Sequence, residues 1–306
     1  AFRFNPPHPG RYRWSRRSGA GHEEADFTVE PADPNEPNRY LRHGPVALSG
    51  RGGFQQGDGT PFCFLADSWW HAMGTRAAWP DEFESLCRDR RDKGFSAIQF
   101  AVSWACDVHP FDPRDRNEAG FSWTENYGEL RPEYFEYTDR RILSLLSHGL
   151  LPCLMGSWGY HLQFLGEEKM KRHYLYLIAR YGAFPIIWLL CGESRLTWYL
   201  HPPDEKERRR NEQIAGWTRV AEFLRNTDPF RRLITVHPGP APGGRNDTEP
   251  LNDMSLVDFG LLQPGHSDHD AVERMMRGLR RHRAAHPDKP VMVGEAAWEG
   301  MHGGAG

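Results

Sequence analysis

No stretch of this 306-residue sequence reaches the roughly 18 to 20 consecutive apolar residues that a membrane-crossing helix needs, and no secretory leader opens it. It starts on Ala1 and stops at Gly306 just after a strand-like run, so it reads as an excised piece. Any export signal would lie upstream of residue 1, with an extracellular or periplasmic location favoured. Cysteine is scarce and unpatterned. Cys63, Cys87, Cys106, Cys153 and Cys191 are odd in number and lack Cys-x-x-Cys spacing, which argues against a disulfide framework or a zinc site and leaves buried thiols as the expectation. Charge of one sign is lacking too: the formal net is -3, so no nucleic acid or other polyanion is expected as a partner. No Gly-rich phosphate turn follows the first apolar run, where Ala66-Asp67-Ser68-Trp69-Trp70 stands instead, and this weighs against a dinucleotide-binding open sheet. The His-x-His of a metal-dependent amidohydrolase barrel is also missing from that strand end. No cofactor and no metal are expected.

Aromatic residues are present in quantity. Eleven Trp and ten Tyr offer flat faces that suit the C–H faces of sugars, although core packing accounts for many such residues in any protein. Residues 1–50 carry short extended pieces broken by Pro and Gly, such as Tyr12-Arg13-Trp14 and Phe27-Thr28-Val29, and read as the tail of a β-sandwich. From Pro61 apolar strands alternate with amphipathic helices, the pattern of a parallel sheet with crossover helices. Seven strand runs are visible: 61–70, 96–103, 150–158, 185–193, 233–237, 256–263 and 290–295. We therefore expect an α/β fold, a (β/α)8 TIM-type barrel over residues 51–306, truncated before strand eight.

In such a barrel reacting groups sit at the C-terminal ends of the strands. Two apolar runs, 186–193 and 291–295, end alike in Gly-Glu, at Glu193 and Glu295. A carboxylate there is costly unless it is solvated, paired or used. Strands four and seven lie roughly opposite across a barrel mouth, and glycoside hydrolysis needs two carboxyl groups flanking one bond. Each Glu alone could merely cap a strand or bind a neighbour such as Arg195; the matched pair points to catalysis.

The run from Asp58 to Trp70 resembles the opening motif of the apiosidase-like glycoside hydrolases, with Ser68 in place of the more usual Thr. Further similarity lies in 93–99, 188–193, Gln263-Pro264-Gly265-His266 and Gly294-Glu295 with Trp298-Glu299-Gly300. The resemblance implies a barrel of a retaining clan, Glu193 as acid/base and Glu295 as nucleophile, and an oligosaccharide or polysaccharide of plant or microbial origin as substrate. The N-terminal segment 4–12 is similar to the closing strands of the immunoglobulin-like domain that precedes some of these barrels.

Other strand-end residues are candidates for holding the sugar: Asp67, Trp70, Trp104, Trp158, His237, Gln263, His266 and Trp298. Glu299 belongs with them and rivals Glu295 as nucleophile. Asp67 could instead be a salt-bridge partner, each Trp could be core, and either His could be structural. The run from His266 to Asp270 invites a metal reading, yet Ser267, Asp268 and Asp270 suit the start of the following helix. Arg208-Arg209-Arg210 and Arg280-Arg281 are expected on a solvated outer face. A non-catalytic sugar-binding barrel is the alternative to a hydrolase.

Overall fold

A computed structural model of the chain describes residues 3–19, 21–50, 52–239, 249–266 and 270–296. β1 (Gly10–Ser18) and β2 (Gly21–Val29) form an antiparallel hairpin that stands as a two-stranded sheet of its own. Asp26 accepts from Arg13 at 2.7 Å and Arg11 at 3.1 Å across it, while Tyr12 stacks on Phe27. Ahead of the hairpin, Arg3 is clamped to the helix layer through Asp139 at 2.6 Å.

α1 (Arg39–His43) leads into a three-stranded antiparallel sheet of β3 (Val46–Leu48), β4 (Phe54–Gln56) and β5 (Pro61–Phe62). The expected domain boundary at residue 50 falls inside the β3–β4 hairpin. Asn38 and Tyr40 already bond the backbone of Leu146 and Ser96, at 2.7 and 2.9 Å, so this segment packs with the α/β unit. The run 61–70, read as one strand, is split: β5 pairs backwards with β4, and only β6 (Ala66–Ser68) enters the parallel sheet.

After α2 (Asp81–Asp92) come β7 (Ala97–Trp104), α3 (Pro132–Ser147), β8 (Leu151–Ser157), α4 (His161–Leu165), α5 (Glu167–Tyr181) and β9 (Ile187–Leu189). α6 (Lys206–Thr227), β10 (Ile234–Thr235), β11 (Gly260–Leu262), α7 (Ala271–Ala285) and β12 (Val291–Val293) complete the order. β6 to β10 form one parallel sheet in chain order, and β11 pairs with β12, also in parallel. Asp258 N donates to Ile234 O and Thr235 Oγ1 to Phe259 O, both at 2.8 Å, which carries the arc from β10 toward β11. Gln99 then reaches across the interior, donating to Gly294 O at 2.7 Å and Ser68 Oγ at 2.6 Å. All seven expected strand positions are thus filled, several by shorter strands than the apolar runs suggested.

The core is continuous between sheet and helices. α3 buries Phe135, Ile142 and Leu145, and α5 buries Met170, Tyr174, Leu177 and Tyr181, each set at helical spacing on one face. The cysteines are all free; Cys87, Cys153 and Cys191 are buried as expected, but Cys63 is exposed and Cys106 half-buried. The arginine-rich start of α6 faces outward, with Arg208 and Arg209 paired to Glu212 and Glu205.

Candidate active site

The β9 strand ends early, and the chain continues through Gly192, which bridges to Trp158, into Glu193. Close approach is the reason for glycine here: a Cβ on Gly192 would fall inside the Trp158 indole. Glu193 has a left-handed backbone (φ 39°), a conformation a non-glycine residue adopts at a cost and one that recurs at functional sites. The turn is held by Leu196 N donating to Glu193 O at 2.8 Å.

Around that carboxylate the strand ends converge. Trp158 Nε1 donates to Oε2 and Gln263 Nε2 to Oε1 of Glu193, each at 3.2 Å. The Trp158 ring meets Trp70 edge to face at 5.1 Å, and Trp70 meets the His237 ring in the same way at 5.1 Å. Glu295, at the end of β12, lies between two imidazoles: His237 Nε2 is 3.1 Å from Oε2 and His266 Nε2 is 3.2 Å from Oε1. The His237 contact is close but lacks hydrogen-bond alignment, so it counts as an electrostatic contact. Gln263 Oε1 is buried without a protein partner among the described residues. An acceptor left in that state suits a ligand hydroxyl.

The two carboxyls have different surroundings. Glu193 is only 8% exposed, and burial pushes its pKa up from the ordinary carboxylate value; His237 acts against this shift and Glu295 adds to it. Glu295 instead has an imidazole nitrogen near each oxygen. Burial thus favours the protonated form of Glu193, whereas imidazole nitrogens stand beside both oxygens of Glu295.

Two sequence candidates lie elsewhere. Asp67 turns to the helix layer, where its Oδ2 accepts from Arg90 at 2.5 Å and from Trp69 Nε1 at 2.9 Å. Trp104 is buried against His161 and His173 of α4 and α5. Trp298 and Glu299 lie outside the described residues, as do Ser267 and Asp268 of the expected helix start. Asp270 makes no side-chain cap and pairs with Arg274 at 2.7 Å. Arg195 donates to Glu249 O. No cluster of metal-ligating side chains occurs among the described residues. A cavity of about 120 Å³ lies in the interior, lined by Phe64, Gln99, Thr235 and Met292 but by neither catalytic candidate.

Five residues near the mouth carried no sequence signal for function. Cys106 Sγ is 3.8 Å from His71 Nε2, whose Nδ1 is 3.0 Å from Asp115, and Tyr199 bonds Asp107. All but Tyr199 sit on loops after β6 and β7; Tyr199 follows the Trp198 that a search for aromatics beyond the Glu193 strand would have met.

None of the curated proteins compared with the chain matches it. Among solved structures, a glycoside hydrolase family 5 protein from Bacteroides vulgatus ATCC 8482 is 22% identical with a TM-score of 0.66, over 84% of this chain and 54% of that one. A glycoside hydrolase family 5 mannosidase from Rhizomucor miehei (14% identity, TM-score 0.57) is matched over 82% of this chain and 72% of its own. An exo-beta-1,4-mannosidase from Opitutaceae bacterium strain TAV5 (17%, TM-score 0.56) is matched over 81% and 48%. The chain spans about half the length of the first of these, and the likeness is one of fold, the TIM-type α/β barrel. The profile of the apiosidase-like catalytic domain matches residues 49–305, and the chain belongs to the apiosidase-like family.

Proposed function

We propose that the chain is a glycoside hydrolase that cleaves O-glycosidic bonds of plant or microbial oligo- and polysaccharides by a retaining mechanism. Glu193 is the acid/base and Glu295 the nucleophile. The observation that carries this reading is the contrast between the two strand-end carboxyls, one desolvated against Trp158 and the other flanked by His237 and His266. In the first step Glu295 attacks the anomeric carbon while Glu193 gives its proton to the departing oxygen; in the second Glu193, now a base, takes a proton from the water that releases the sugar. Trp70 and Trp158 supply faces for the ring, and Gln263 Oε1 accepts from a hydroxyl. The hairpin β1–β2 is read as the end of an immunoglobulin-like domain and the remainder as the hydrolase barrel.

Glu193→Gln and Glu295→Gln should each lower turnover by about 10²–10⁴-fold without loss of folding. Because fold neighbours carry the name mannosidase, an aryl β-mannoside is a sensible first member of the screen. Normal turnover in either variant would remove the assignment. Saccharide binding without cleavage by the wild-type chain would replace it with a carbohydrate-binding barrel.

A further inference from the structure

Two loops meet beside Glu193. One follows β7 and carries Cys106, whose Sγ is 3.8 Å from Nε2 of His71, the neighbour of Trp70 at the site. The other continues from Glu193 itself to Leu200. They are cross-tied: Tyr199 Oη donates to Asp107 Oδ1 at 2.7 Å, and the His109 ring meets Trp198 edge to face at 5.7 Å. Trp198 and Tyr199 both pack on Tyr160, at 5.0 and 5.8 Å.

This wall is built yet open. Asp107 is held in the left-handed region (φ 58°), its carbonyl bonded by Arg114 at 3.2 Å. Tyr199 nevertheless stays 43% exposed and Leu200 81%. A fixed carboxylate beside an exposed phenol ring matches the hydroxyls and the C–H face of a saccharide. Position decides which saccharide. The acid must stand beside the leaving oxygen and the nucleophile beside the anomeric carbon. Tyr199 lies on the chain segment that delivers Glu193, six residues on, and packs on Tyr160, two residues beyond the Trp158 that donates to Glu193.

We propose that Asp107 and Tyr199 form the subsite for the leaving group, Asp107 accepting hydroxyl hydrogen bonds from the departing saccharide and Tyr199 supplying ring face and Oη. This rests on the hydrolase reading with Glu193 as acid. A leaving group without hydroxyls, such as 4-nitrophenol, forgoes the Asp107 contacts, so the two kinds of substrate separate this role from a general one.

The test compares the wild-type chain with Asp107→Asn and Tyr199→Phe. The substrates are a plant cell-wall oligosaccharide digest and the 4-nitrophenyl glycoside of the sugar the wild type releases from it. Saccharide binding is followed in parallel by tryptophan fluorescence. The expected result is a fall in kcat/KM on the oligosaccharide at least tenfold larger than on the aryl glycoside, carried mainly by KM. Equal losses on both substrates, or no loss on the oligosaccharide, would overturn the proposal. If the wild type binds the digest but releases no reducing ends, the hydrolase reading fails and with it the leaving-group role. The fluorescence titration then still shows whether Asp107 and Tyr199 hold saccharide at all.

Discussion

His237 Nε2 stands 3.1 Å from Glu295 Oε2, although the two residues come from the ends of β10 and β12 and the imidazole is fully buried. A fully buried imidazole beside this carboxylate, with Glu193 also within its electrostatic reach, is placed to steady Glu295 in the proposed nucleophile role. Replacing His237 by Ala is expected to lower kcat by about 10²-fold with KM little changed. His266→Ala, at a 22% exposed side chain where water can substitute, should cost less. Steady-state kinetics on both variants checks this, and an effect confined to KM would assign His237 to substrate binding.

The raised pKa of Glu193 has a stability consequence of definite sign. Its folded form binds a proton more readily than its unfolded form, so this group's contribution is fully present below the ordinary carboxylate pKa of about 4.3. It is lost as pH rises through the folded value, where the native state binds more protons than the unfolded state. Glu193→Gln should therefore melt at a higher temperature than the wild type above neutral pH, with the gain shrinking toward pH 4. Thermal melts across pH 4–9 decide; a gain that grows on acidification would contradict the burial effect. With Glu193 in the proposed acid role, activity should decline with rising pH through the same titration.

The Gly-Glu strand ends could be read because they place polar chemistry where apolar periodicity stops, and Trp70, Trp158, His237, Gln263 and His266 follow from the same rule. Asp67 shows its limit. Side chains alternate along a strand, so Ser68 faces Gln99 inside, whereas Asp67 and Trp69 face Arg90 and Phe83 on α2. A count of strand ends that ignores this parity selects both faces. Trp104 was selected in the same way and packs on α4 and α5. Asp107 and Tyr199 were invisible for another reason: they sit on loops, where no period exists and only the fold brings distant segments together. The split of 61–70 between β5 and β6 was also unreadable, since an apolar run does not say which neighbour it pairs with.

The outward turn of Asp67 gives a direct comparison. If its carboxylate serves Arg90 and Trp69, Asp67→Ala and Arg90→Ala should each cost about 1 kcal/mol, as expected for a half-exposed ion pair with one added hydrogen bond. The double variant should then cost less than the sum. Urea denaturation of the four proteins supplies the cycle. KM should stay near the wild-type value in Asp67→Asn, and a marked rise would restore Asp67 as a sugar ligand.

Gly192 and Gly294 precede the two glutamates in the same way, but the structure separates their roles. A Cβ on Gly192 would overlap the Trp158 ring, which is itself pinned by its backbone N donating to Trp104 O at 2.7 Å and by Gly159 N donating to Gly192 O at 2.6 Å. The ring has no room to retreat, because Trp70 stands edge-on at 5.1 Å. A Cβ on Gly294 would meet Leu261 Cβ at 3.0 Å, a crowding that small shifts between β11 and β12 relieve. Gly192→Ala should therefore be destabilising at the upper end of the overpacking range, about 3 kcal/mol, and Gly294→Ala nearer 1. Displacing Trp158 also withdraws its Nε1 from Glu193, so Gly192→Ala is expected to raise the pKa that limits activity on the alkaline side, whereas Gly294→Ala leaves it in place. Urea melts and pH–rate profiles on both variants test the two halves together; equal costs and equal profiles would mean that the glycines serve only the turn and not the packing of the indole against the acid.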